Sequence, residues 1–307
     1  MTLVPILQAT AWWIRIFDFP RLQIVAVGFA LLAIFIPVYG MTNALDATFV
    51  VLLAVSIGYQ IYMIYPYTRL AHVQVEYRHE SDNDRTLAVL FANVLMHNRQ
   101  AEDLLIQVRA ADPDLILLAE TDAWWQQQAD ILEADYPYTV KYPQDNTYGL
   151  LLYSRLELIE PEIKFLIQDD VPSFHGRVRL RSGDDVELRC LHPRPPVPME
   201  DPSSAPRDAE ILIVGKENRK DNLPFVVFGD LNDVAWSRTN YLFQNISGLL
   251  DPRVGRGFYH TFHAKIPLLR FPLDHLFHSN HFRLVDFQRL GYFGSDHFPV
   301  FIKLSLE

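Results

Sequence analysis

The chain has 307 residues, half of them hydrophobic and 21% charged, which suits a globular protein with some membrane content and one large or two ordinary domains. Its net charge of -10 is carried wholly beyond residue 70, a poor match for extended nucleic-acid binding, though a local basic groove remains compatible. Cys190 is the single cysteine, which excludes an intrachain disulfide and a Cys-rich zinc site.

Residues 1–20 set Trp12, Trp13 and Arg15 before a Phe17-Asp-Phe-Pro20 stop; this fits a membrane interface and a frayed terminus equally well. Residues 22–40 carry no charge, and neither do residues 48–66. Each is close to the ~20 residues that cross a hydrocarbon core. Tyr39, Tyr62, Tyr65 and Tyr67 sit near their ends, where tyrosine suits the interface. The pair is too long for a cleaved signal peptide and neither segment has a polar face. Residues 1–67 therefore read as a membrane anchor, a helical hairpin turning at Met41–Asp46. Arg15, Arg21, Arg69 and Arg78 flank the hairpin and the turn has no Lys or Arg, so the positive-inside rule expects an integral inner- or plasma-membrane protein with its catalytic domain in the cytoplasm. The lipid bilayer is then one expected partner, and no segment marks an obligate protein partner.

Residues 68–85 become polar and read as a linker, and a domain over 86–307 follows. Strands are expected at Leu87–Phe91, Leu115–Ala119, Gly149–Tyr153, Arg177–Leu180, Val186–Leu191, Phe225–Phe228, Leu273–His278 and Phe298–Leu304. Helices are expected at Arg99–Ala110, Ala123–Ala134 and Ser204–Lys216, the last capped by Ser203 or Ser204. With no regular βαβ order, the pattern predicts an α/β fold of two packed sheets covered by helices.

Polar residues recur at the ends of these apolar strands: Asn93, Glu120, His192, Asp230 with Asn232, Asp274, and Ser295-Asp296-His297. Strands sharing one sheet rim would gather them. In Gly229-Asp-Leu-Asn232, Gly229 permits a sharp turn, and an extended path would point Asp230 and Asn232 the same way. A carboxylate that takes a proton beside a neutral amide donor suits attack by water on a phosphate ester.

The ordered series Asn93, Leu118-Ala-Glu120, His192-Pro193, Gly229-Asp-Leu-Asn232, Leu273-Asp274 and Ser295-Asp-His297 resembles the endonuclease/exonuclease/phosphatase superfamily over about residues 86–307. The resemblance implies a four-layer α/β sandwich and divalent-metal-dependent hydrolysis of phosphate esters. It implies Mg²⁺, with Mn²⁺ as a substitute, held by Glu120 and Asn93 with help from Asp296. His297 matches the histidine that contacts the scissile phosphate, and Asp274 the carboxylate that orients it. His192 matches a second histidine of the DNase I-like and phosphatase branches. Asp230 is the expected general base or orienter of water, and Asn232 the transition-state donor. Arg155 follows a strand and either contacts phosphate or is a solvated strand-end charge.

Two loops are candidates for specificity. The proline-rich Pro193–Pro206 must be a stiff rim element. His260–Pro272 mixes Lys265 and Arg270 with Ile266, Leu268, Leu269 and Phe271, which suits either a membrane-proximal substrate or packing onto the sandwich. Phosphodiester hydrolysis of the nuclease type is the family default. The anchor and the acidic domain favour a phospholipid or small-molecule phosphoester as the alternative, and a catalytically silent scaffold is the remaining one.

Overall fold

The computed structural model describes residues 2–78, 83–219 and 223–307. The first part is a short helix α1 (Trp12–Arg15) followed by α2 (Arg21–Tyr39) and α3 (Ala44–Ile64). The last two lie antiparallel, and each is long and apolar enough to cross a membrane. The turn is tighter than expected. Asn43 caps α3 by accepting from the Asp46 N–H at 3.0 Å, so Asp46 lies inside the helix.

The remaining described residues form eleven strands and four further α-helices. In chain order these are β1 (Thr86–Asn93), α4 (Ala101–Ala111), β2 (Leu115–Ala119), α5 (Ala123–Ala129), β3 (Tyr138–Tyr142), β4 (Leu150–Ser154), β5 (Leu158–Lys164), β6 (Ser173–Arg179) and β7 (Asp185–Leu191). There follow α6 (Ala205–Gly215), β8 (Phe225–Asp230), α7 (Arg238–Ser247), β9 (Asp274–His278), β10 (Phe282–Arg289) and β11 (Val300–Leu306). One sheet has the order β10-β11-β1-β2-β4-β3 and the other β5-β6-β7-β8-β9. Both are mixed, since β1 and β2, and β7 and β8, run parallel while the remaining pairs are antiparallel.

Three apolar layers hold the four-layer sandwich together. Between the sheets, Val89, Phe91, Leu115 and Leu117 meet Phe174, Leu188, Val226 and Phe228. The alternate residues Leu90, Ile116 and Leu118 face outward onto Leu104 and Val108 of α4 and Trp125 of α5. On the other side Val227 and Phe277 meet Ile211 and Val214 of α6 and Phe243 of α7. Strands apolar on both faces are what a sheet covered on both sides demands. This is the sandwich the sequence predicts.

Residues 68–78 are not a free tether. Val75 is buried in the inter-sheet core, and Leu284 of β10 accepts from Arg78 N–H while donating to Glu76 O. An apolar side chain and paired backbone bind this stretch to the sandwich; of the rest of the expected linker, residues 79–82 lie outside the described residues and Asn83–Arg85 form a short 3-10 turn. The base of the hairpin is likewise docked. Ile64 and Tyr67 pack with Val234, Trp236, Phe271 and Leu273, and Trp236 Nε1 donates to Asp18 O at 2.7 Å. The proline-rich loop is held from the N-terminal side, where Trp12 N–H donates to Pro202 O and Ser204 N–H to Thr10 O. Ser204 occupies the cap position of α6, but its hydroxyl bonds Asp208 instead of a backbone N–H.

Candidate active site

Because β1, β2, β7 and β8 point the same way while β9 and β11 run against them, the ends of the first four and the starts of the last two share one rim. Asn93, Glu120, His192, Asp230, Asp274 and His297 all stand on it, and all but Glu120 are buried. The two sheets contribute three residues each.

Asn93 joins the halves. Its Nδ2 donates to Glu120 Oε1 at 2.7 Å and to Asp230 Oδ2 at 3.1 Å, while its Oδ1 accepts from Leu95 N–H at 3.0 Å. In this arrangement it bridges two carboxylates as a donor, beside the Glu120 carboxylate with which the sequence pairs it. Glu120 follows β2 in the left-handed region, φ +60°, a conformation that costs energy in a non-glycine residue and is commonest at functional sites.

Asp230 is the last residue of β8. Its Oδ1 accepts from Asn232 N–H at 2.8 Å, and its Oδ2 lies 3.5 Å from His297 Nε2 and 3.9 Å from His192 Nε2. The strand ends there, so Asn232 does not point with Asp230 along an extended path. Asn232 is left-handed, φ +50°, and its Nδ2 donates to Pro193 O at 3.0 Å. Its amide ties the proline-rich loop to the site. Gly229 makes no turn either. It stays in β8, where a Cβ would lie 2.0 Å from Leu191 O, so only glycine lets β7 and β8 approach there.

His297 Nδ1 lies 2.9 Å from Asp274 Oδ2. The Ser295 hydroxyl donates to Asn93 O and accepts from His297 N–H, pinning the approach to β11 against the end of β1. Asp296 is half-buried beside the cluster, its backbone O accepting from Ala264 N–H at 2.6 Å.

The electrostatics separate the two histidines. Burial lowers His192 to about 4, only partly opposed by Asp230, so its ring is neutral at pH 7. Burial would also lower His297, but the charges of Asp274 and Asp230, the Asp274 hydrogen bond and Asp296 push it up to about 10. Burial raises Glu120 to about 7 against the opposing pull of Asn93 and His297. Asp230 is raised as well, by burial and then by Asp274 despite the pull of His297. Asp274 Oδ1 is buried without a partner. Four carboxyl groups, those of Asp230 and Asp274 buried and those of Glu120 and Asp296 half-buried, face one imidazolium, an excess of oxygen donors that fits a hard divalent cation.

Arg155 does not belong here. Strand β4 runs against β2, so its C-terminal end lies at the opposite rim, where Arg155 pairs with Asp112 at 2.5 Å and covers the Tyr136 ring. The other reading, a strand-end charge, is the one the geometry supports. Two aromatic walls had no sequence signal. Tyr148 lies against His192 at 5.5 Å between ring centres, bonded to Glu200 of the proline-rich loop, and Phe262 lies 5.0 Å from His297. Both come from irregular segments, where no periodicity marks a packed aromatic.

The profile of the endonuclease/exonuclease/phosphatase family matches residues 90–297, and the chain belongs to that family. Its members are generally hydrolases acting on phosphate esters. A search of curated proteins finds no match. Among solved structures, an endonuclease/exonuclease/phosphatase from Beutenbergia cavernae is 18% identical with a TM-score of 0.58, covering 72% of each chain. The TDP2 of D. rerio complexed with a single-strand DNA product is 17% identical, TM-score 0.56, over 72% of this chain and 99% of that one. A mannosyl-6-phosphatase of Bacteroides thetaiotaomicron is also 17% identical, TM-score 0.57, over 72% and 100%. At such identities the likeness is one of fold.

Proposed function

We propose that this protein is a membrane-anchored, divalent-metal-dependent phosphoesterase that cleaves phosphodiester bonds. The observation that carries the reading is the buried opposition of Asp230 and His297. A carboxylate whose proton affinity is raised faces, at 3.5 Å, an imidazolium held in its charged form by Asp274. A phosphoryl group lying over this pair would receive a charged N–H donor from His297 Nε2 as negative charge builds on its oxygens. Asp230 would orient the attacking water and take its proton. Neutral His192, 3.9 Å from Asp230 and 4.0 Å from Glu120, can donate one further hydrogen bond without adding charge.

The cation is assigned to Glu120 with Asp296 near by. Asp230, Asp274 and His297 also offer ligand atoms within 4.8 Å of one another, but this reading gives those three to the attacking water and the phosphate and leaves the Glu120 side to the ion. Oxygen donors of this kind favour Mg²⁺, with Mn²⁺ able to replace it. Bound there, the ion would neutralise phosphate charge and support the leaving oxygen.

Two apolar spans support anchoring, and the flanking Arg15, Arg21, Arg69 and Arg78 support a cytoplasmic catalytic domain. Among the fold neighbours, one is complexed with a single-strand DNA product and another is a mannosyl-6-phosphatase, a range from nucleic acid to small molecule. The test is Mg²⁺-dependent hydrolysis of bis(p-nitrophenyl) phosphate by the full chain in detergent, beside Asp230→Asn. Activity lost in the variant supports the reading; equal activity, or none in a folded, metal-binding wild type, removes it.

A further inference from the structure

The loop between α7 and β9 that walls the catalytic histidine also reaches the membrane hairpin. Phe262 packs on His297, and Ala264 N–H donates to Asp296 O. A few residues on, the tip carries Ile266, Leu268 and Leu269, all exposed, Leu268 to 80%. Single exposed apolar residues are ordinary on a protein surface. The place of this tip is not ordinary: Gln23 Nε2, in the first turn of α2, donates to Leu268 O at 2.8 Å. Phe271, at the loop's return, meets Phe19 just before α2 at 5.5 Å between ring centres.

The level of Gln23 on the hairpin is set by its neighbours. Arg21 donates to Gln60 of α3 at 2.9 Å and to Asp18 at 2.6 Å, so this end of the pair carries the polar groups expected where a span leaves the hydrocarbon. More apolar surface lies at the same end. Thr2 bonds Ser56 and Gln60 of α3, and Leu3, Ile6, Leu7, Trp13 and Ile16 are exposed in the segment that follows.

The charge of this region opposes that of the whole chain. Where α3 runs out, a cavity of about 630 Å³ is lined by Tyr67, Arg69, Arg256, His260 and Arg289 among others, with no carboxylate among the described residues of its lining. Arg289 donates to His260 O, two residues before Phe262, so this basic hollow adjoins the same wall of the site. Cationic groups beside apolar tips are the combination that seats a protein on an anionic bilayer surface.

We propose that residues 264–270 form a second membrane contact that seats the catalytic cluster against the bilayer surface, so that the substrate is a phosphodiester in the headgroup of a membrane phospholipid. This rests on the anchored-phosphoesterase reading above.

The buried Cys190 makes a site-specific test practical. Leu268→Cys in the full chain is labelled with an environment-sensitive fluorophore and reconstituted in vesicles of phosphatidylethanolamine and phosphatidylglycerol. Ser182→Cys, in the turn at the opposite end of β7 from His192, is the control. Blue-shifted emission quenched by nitroxide lipids at position 268 but not at 182 supports the contact; water-like emission at both overturns it, whatever the enzyme hydrolyses. In the second arm, Leu268→Asp combined with Leu269→Asp should lower hydrolysis of vesicle-borne phospholipid by about tenfold or more while leaving bis(p-nitrophenyl) phosphate untouched. An equal effect on both substrates, or none on either, overturns the substrate assignment, as does a wild type that cleaves the soluble ester but no phospholipid. A wild type inactive on the soluble ester refutes the phosphoesterase reading instead, and the emission arm still decides the contact.

Discussion

His297 and Asp274 form a buried pair, Nδ1 to Oδ2 at 2.9 Å, with Asp230 3.5 Å from the other ring nitrogen, Nε2. The imidazole is thereby fixed in orientation and in charge. Asp274→Asn removes the strongest of the influences that raise His297 above its ordinary value. We expect the ring to titrate well below about 10 by NMR, and turnover to fall by about a hundredfold or more.

The same pair ties stability to pH. A histidine raised in the folded state contributes stability fully below its unfolded value of 6.5, and that contribution disappears as pH rises through about 10. The difference in unfolding midpoint between wild type and His297→Gln should therefore shrink between those two values. A difference that stays constant over this window would mean that the ring is not charged.

Asp230→Asn should lower turnover by about a thousandfold. The fold should survive, because the substitution removes a buried negative charge from beside Asp274. Thermal unfolding of the metal-free variant is expected close to the wild-type midpoint, since the relief of repulsion from Asp274 is offset by a donor, Asn93 Nδ2 or Asn232 N–H, that the new amide cannot accept.

Glu120, raised to about 7, must lose its proton to hold a cation. Mg²⁺ affinity measured by calorimetry should rise from about pH 6 to about pH 8 and level off. Glu120→Gln should weaken it by at least about tenfold and flatten the pH dependence.

Two substitutions separate the site from its surroundings. Arg155→Ala at the opposite rim should leave kcat/KM within about twofold and cost less than about 1 kcal/mol, since its partner Asp112 is largely exposed. Gly229→Ala, with φ +141° and no room beside Leu191 O, should cost of the order of 3 kcal/mol and displace Asp230. The unfolding midpoint and the residual activity in detergent check both.

Most strands that could be read in the sequence are buried on both faces; β6 and β7, also expected, keep half-exposed positions, and the expected strand covers only the second half of β6. The bounds of β2 are the expected ones, and β1, β4, β7, β8, β9 and β11 differ by a few residues at their ends. The strands that escaped notice, β3, β5 and β10, are sheet edges. An edge strand tolerates exposure and Pro161, so the apolar run that marks a central strand is missing. Helix α7 was also hidden. Its sequence, RTNYLFQNIS, has few apolar residues, and Ser237 starts it by accepting from Asn240 N–H.

What the sequence by itself determined was the pattern of polar residues at strand ends, two uncharged spans and the layered α/β class, because strand ends and hydrophobic runs are local properties. The tertiary structure decided which of those residues meet. Strand direction sends Glu120 and His192 to one rim and Arg155 to the other. Left-handed turns at Glu120 and Asn232 set where these side chains go, and burial against neighbouring charges drives His192 and His297 to opposite protonation states. It also decided that the apolar loop at Leu268 touches the base of the first span, a meeting of residues far apart in the chain that no local pattern specifies.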